Sequence, residues 1–290
     1  MAILRRVRAV RLRGIRRFHW ARDVEEALSL LAAYDGRGAL LAGGVDLARS
    51  ARDLEGLVDI MGIGLSYVQA GHGGLRVGAT TTLTDLLVHP ATKEYLGGIL
   101  ADVLHRVASP PLRNMATLGG AVVSAHPWAD IPTALVALGA EARWRAEREE
   151  RAQVEALYGQ AFRGTFRRAL VTEIVLPPWA GAFAFEKVSR SRSDIALLNA
   201  VCGVGITNDT ISWARVALGA TPNRGARLPW LEEALVGERP GDKLWEKVRG
   251  EVGARAEVGD DRRASAAWRR SVAGVLITRA LARATQRAAA

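Results

Sequence analysis

Two pairs of adjacent glycines stand where an anion could be held. Ala42-Gly43-Gly44-Val45-Asp46-Leu47 follows a short apolar run, and Thr117-Leu118-Gly119-Gly120-Ala121 falls in a stretch without regular periodicity. Lacking a Cβ, successive glycines let backbone N–H groups converge on an anion, so a diphosphate can be bound with no lysine nearby. The same pairs also read as plain turns; Gly73-Gly74 suits a hairpin and Gly97-Gly98 a helix end. Other standard sites are missing from the sequence. There is no G-x-x-x-x-G-K, no G-x-S-x-G and no H-E-x-x-H, and neither Gly62-Ile63-Gly64 nor Gly203-Val204-Gly205 is completed into a dinucleotide fingerprint. His19, His72, His89, His105 and His126 have no ligand spacing. The single cysteine, Cys202, cannot supply the roughly four ligands of an iron–sulfur cluster or structural zinc. Any redox metal is therefore expected on a partner.

The glycine pairs need elements to position them. Asp23 and Glu26 have capping-box form, and Val24, Ala27, Leu28 and Leu31 predict a helix over 24–33. Ala39 to Ala42 and Leu57 to Ile60 read as strands, and Tyr67–Ala70 with Leu75–Gly78 as a hairpin around Gly71-His72-Gly73-Gly74. Helices are predicted over 82–88 and 92–107, with a short one near Asp130, followed by strands over 141–146 and 152–157. Pro177-Pro178 stops regular structure and marks a domain boundary. Beyond it lie three strands, over 182–190, 196–206 and 211–218, the last two joined at Asn208-Asp209. Helices over 230–236, 242–251 and 263–286 complete the pattern.

With 290 residues the chain can bury one large core or two ordinary ones, and 49% hydrophobic with 24% charged residues is ordinary globular composition. No apolar run is long enough for a membrane span. The formal charge of +10 resides at the ends: residues 1–17 and 262–290 each carry seven arginines and no acid, leaving −4 on the rest. No basic groove follows, so nucleic acid is not the expected partner. The arginine pairs near the start precede no signal-type apolar segment, and the reading is cytoplasmic. In the last helix Arg279, Arg283 and Arg287 form one stripe, either a solvated face or a docking surface.

Several longer strings carry a resemblance. Leu40-Leu41-Ala42-Gly43-Gly44-Val45-Asp46-Leu47, Val77-Gly78-Ala79-Thr80-Thr81, Ser109-Pro110-Pro111-Leu112-Arg113-Asn114 leading to Thr117-Leu118-Gly119-Gly120, and Pro127-Trp128-Ala129-Asp130-Ile131-Pro132 resemble the FAD-binding medium subunit of molybdenum hydroxylases. That family includes carbon monoxide dehydrogenase and xanthine dehydrogenase. Phe185-Glu186-Lys187, Arg192-Ser193-Asp194-Ile195-Ala196 and the segment Asp261 to Arg270 resemble its second domain, so the likeness runs from about Phe18 to Ala282.

After the basic extension over 1–17, the resemblance implies an α+β fold that divides where the prolines suggest: a two-lobed FAD domain of the vanillyl-alcohol-oxidase (PCMH) type over 18–178, and a smaller domain with a three-stranded antiparallel sheet and helices over 179–290. It implies FAD as cofactor, a diphosphate cradle from Leu41 to Leu47 and from Thr117 to Ala121, with Ser124 beside it. Asp130 would anchor the sugar chain, and Lys187 would lie near the isoalloxazine and favour its reduced, anionic form. The implied partners are a molybdenum-cofactor large subunit and a small subunit with two [2Fe–2S] clusters, in a heterotrimer that dimerises. The flavin would deliver electrons to an external acceptor.

Some positions depart from the family pattern. Val45, Ala121 and Ser124 replace residues with different hydrogen-bonding side chains, Met115-Ala116 replaces a pair ending in glycine, and the stretch Phe162 to Leu170 is shortened. Each lost hydrogen bond costs about 1 kcal/mol, which predicts weakened rather than abolished FAD binding. The alternative is a flavin-free structural subunit of the same type of complex.

Overall fold

The computed structural model describes residues 14–50, 52–158, 166–221 and 226–289. Most of the basic extension, and the first part of the shortened stretch that begins at Phe162, lie outside them.

Three sheets organise the chain. The first is parallel, in the order β1 (Arg17–Trp20), β3 (Gly56–Asp59), β2 (Gly38–Leu41). Its covering helix is Val24–Ala32, where the Asp23 side chain accepts from the Glu26 N–H, the capping the sequence predicts. The second sheet is antiparallel and five-stranded. It runs β4 (Val68–Gly71), β5 (Gly74–Gly78), β8 (Leu170–Leu176), β6 (Glu141–Arg145), β7 (Glu149–Gln153). The third comprises β9 (Ala182–Val188), β10 (Leu198–Thr207), β11 (Thr210–Gly219) and a two-residue edge strand, β12 (Ala226–Arg227). The three long strands match the expected sheet, and Asn208 and Asp209 both take positive φ in the turn joining β10 to β11, as a tight hairpin requires.

β10 is buried along nearly its whole length because both its faces are covered. The helix Asp130–Ala137 lies on one side and the last helix, Ala266–Ala289, on the other. A strand covered twice reads as a continuous apolar run, and Ala200-Val201-Cys202-Gly203-Val204 is one. Cys202 sits in this core, and burial pushes its thiol pKa up. Phe183, Phe185, Val201 and Ala217 join the core of the five-stranded sheet, so that core crosses Pro177-Pro178.

Several expected elements differ. The helix expected over 92–107 is broken into Pro90–Glu94, a 3-10 turn at Tyr95–Gly98, and Ile99–Leu104, because Leu96, Gly97 and Gly98 all take positive φ. The strand expected over 152–157 ends at Gln153, and Val154–Leu157 forms a helical turn instead. The stretch around the second glycine pair is regular, with helices Pro110–Met115 and Leu118–Ser124. Neither is long enough to display a period.

Candidate functional site

The first glycine segment leaves the end of β2 at Leu41, and its loop turns into a 3-10 helix at Leu47–Arg49. Gly44 has φ +70, a conformation L side chains rarely adopt. The backbone N–H groups of Gly43, Gly44, Val45 and Asp46 donate to no acceptor among the described residues. All four residues keep some solvent access. Four consecutive donors without a partner suit a diphosphate, so this segment fits the expected cofactor.

The second segment is built differently. Leu118 N–H donates to Thr81 O (3.0 Å), Gly119 to Ala79 O (2.9 Å), Gly120 to Thr117 Oγ1 (3.2 Å) and Ala121 to Thr117 O (3.0 Å). Thr117 is thus a helix N-cap, and the expected cradle of free N–H groups is absent there. Gly119 is required for packing, since a Cβ on it would stand 2.7 Å from Ala79 Cβ and 2.8 Å from Ala79 O. Gly120 is exposed, and a Cβ there would meet only Thr117 Oγ1, at 3.0 Å. Its open face is what this segment offers a ligand.

The two segments touch. A Cβ on Gly43 would fall 1.5 Å from the Met115 carbonyl, so only glycine permits the approach. Asp46 Oδ1 accepts from His126 Nε2 (2.9 Å), and that hydrogen bond, working against burial, holds the Asp46 carboxyl below the usual carboxylate range. Ser124 Oγ donates to Gly120 O (2.8 Å). Ala116, where the resemblance implies glycine, has φ −63 and ψ 136, so alanine is unstrained there.

Asp130 and Lys187 are brought together, but against each other. Lys187 Nζ lies 2.7 Å from Asp130 Oδ2 and donates to Arg106 O (2.9 Å), while Asn199 donates to Asp130 Oδ1 (2.6 Å). The side chains are 2% and 5% exposed. Burial pushes the Asp130 carboxyl upward, opposed by Lys187 and Asn199. Without a ligand the two form a buried ion pair, because two charges removed from water must satisfy one another.

Spacing does not reveal His126 as a partner of Asp46, because the two stand 80 residues apart in the chain. The arginine stripe also has another role: Arg283 pairs with Glu186, and Arg287 with Asp102 (2.6 Å).

Comparison with known proteins identifies the family. Residues 12–179 match the family model described as the FAD binding domain in molybdopterin dehydrogenase, and residues 183–284 match the CO dehydrogenase flavoprotein C-terminal domain. The chain is 28% identical to the glyceraldehyde dehydrogenase medium chain of Sulfolobus acidocaldarius over 271 residues, covering 90% of this chain and 95% of that one. It is likewise 28% identical to the carbon monoxide dehydrogenase medium chain of Hydrogenophaga pseudoflava, covering 91% and 95%. A solved structure of the carbon monoxide dehydrogenase from that organism superposes with a TM-score of 0.87 at 25% identity, over 96% of this chain and 98% of that one.

Proposed function

Because this chain belongs to the family of FAD-binding domains of molybdopterin dehydrogenases, we propose that it is the FAD-binding, electron-transferring subunit of a molybdenum hydroxylase-type oxidoreductase. The observation that carries the reading is the run of unpartnered N–H groups from Gly43 to Asp46, folded against the second glycine segment. These donors would bind the diphosphate. The exposed face of Gly120 would let it approach the helix Leu118–Ser124, whose own donors Thr117 already satisfies. FAD, when bound, supplies a centre that takes electrons from partner iron–sulfur clusters and passes them to an external acceptor.

The partners that fit this role are a molybdenum-cofactor large subunit and a [2Fe–2S] small subunit. Medium chains among its relatives support that composition, since their names denote one chain of several. The flavin-free structural alternative draws on the engaged donors of Leu118 to Ala121 and on the burial of Lys187. One experiment separates the two. The purified chain, incubated with FAD and desalted, is expected to be yellow with stoichiometric flavin. A colourless chain, alone and in complex with its partners, identifies the structural subunit.

A further inference from the structure

A continuous series of side-chain contacts leads from the first glycine loop into the C-terminal domain. His126 donates to Asp46 on the loop, and its ring stacks on Trp128 with centroids 4.8 Å apart and planes 7° from parallel. The Arg263 guanidinium lies over the same indole at 4.8 Å. Arg263 pairs with Asp261 (2.7 Å), which also pairs with the fully buried Arg269 (2.9 Å). Arg269 in turn donates to the carbonyls of Leu197, Gly259 and Ala264 and so fixes the far end.

This arrangement matters because Asp46 is an acid inside an anion-binding loop. An unpaired carboxylate beside a diphosphate repels it, and the repulsion persists at a few ångströms even in water. A cation or a directed N–H on that carboxylate removes most of the penalty. His126 supplies such a donor, and the Trp128–Arg263 stack holds its ring in place. Ser124, whose hydroxyl also donates to Gly120 O, and Arg49, on the adjoining 3-10 helix, favour the Asp46 carboxylate as well, each less than His126 does.

Resting on the FAD reading above, we propose that His126 is a positioning residue for the cofactor. It acts through Asp46, masking that carboxylate and holding the Gly43–Asp46 donors toward the diphosphate.

The test uses the full chain with FAD as the titrant, binding followed by quenching of flavin fluorescence. His126→Ala is expected to weaken FAD binding about ten-fold, equivalent to about 1.4 kcal/mol. Asp46→Asn placed in that background removes the exposed charge and restores the affinity to within about three-fold of the parent. A purely structural role for His126 would not be repaired by changing its partner. Asp46→Asn alone, which keeps an acceptor for the ring, is expected to bind FAD at least as tightly as the parent, and it decides the matter if His126→Ala does not fold. Parental affinity in His126→Ala, a double variant as weak as the single one, or weakened binding in Asp46→Asn alone overturns the role of His126 while leaving the FAD reading intact. A parent that binds no FAD overturns both.

Discussion

The Lys187 ammonium stands 2.7 Å from the Asp130 carboxylate, with both side chains almost entirely removed from solvent. This pair ties β9 to the start of the helix Asp130–Ala137, across the prolines that separate the two sequence halves. Asn199 on β10 closes the remaining side of the carboxylate.

Lys187→Met is therefore expected to destabilise the chain by about 3 kcal/mol, because it leaves Asp130 buried and unpaired. Adding Asp130→Asn should recover part of the loss by removing the stranded charge. Urea denaturation of the parent, single and double variants measures both effects. The potential of bound flavin should move little in Lys187→Met, since the ammonium is engaged with protein; a large fall would place the lysine at the ring after all.

The glycines divide into those required by packing and those free to serve a ligand. Gly119→Ala drives a methyl into Ala79 and should cost about 1–3 kcal/mol of stability whatever happens to FAD. Gly120→Val points into open space apart from Thr117 Oγ1, so it should fold and yet bind FAD poorly. Gly62→Ala, with nothing within 4 Å, serves as the control that changes neither. Thermal melts with flavin stoichiometry on the same samples decide this; a Gly120→Val protein with full flavin content would move the diphosphate away from the helix.

Much of this was legible in the sequence, for identifiable reasons. Asp23 capping, the Asn208-Asp209 turn and the apolar run of β10 are local signals, and each lies where the pattern predicts. β1 and β8 carry no such local signal: β1 begins with Arg17, the last arginine of the basic stretch, and β8 follows the shortened stretch that begins at Phe162. The Asp130–Lys187 and Asp46–His126 contacts join residues 57 and 80 positions apart, so spacing carries no trace of them. Sequence does not show which N–H groups already have acceptors, so nothing in the second glycine pair signals that the donors of Leu118 to Ala121 are engaged.

The arginine stripe of the last helix yields a prediction with two arms. Arg283 and Arg287 are engaged with Glu186 and Asp102, whereas Arg279 is exposed and has no ion-pair partner among the described residues. Arg283→Glu would face one carboxylate with another and should lower stability in the isolated chain. Arg279→Glu should leave stability within about 0.5 kcal/mol, as for other isolated surface changes. If the helix docks an acidic partner, only Arg279→Glu will reduce co-purification without altering the melting temperature. Equal effects of the two on complex yield, in proportion to lost stability, would assign the whole stripe to internal fastening.

Asp261 provides a test by acid. Burial alone would raise its pKa, but the ion pair with the Arg269 guanidinium and hydrogen bonds from Arg263, through backbone and guanidinium, and from the Ala264 N–H outweigh it and hold the carboxyl far below the usual range. A carboxyl whose folded pKa lies below its unfolded value of about 3.9 stabilises the fold fully above that value. The contribution is lost as pH falls through the depressed folded pKa. Asp261→Asn should accordingly cost about 3 kcal/mol at neutral pH, since it also leaves Arg269 buried without a counter-charge. The difference between parent and variant should stay constant from pH 7 to about pH 5 and shrink below about pH 4, where the parent begins to lose the same interaction. Urea unfolding across that range measures it. A gap that persists undiminished at the acid end would show that Asp261 stabilises through packing and hydrogen-bond geometry rather than through its charge.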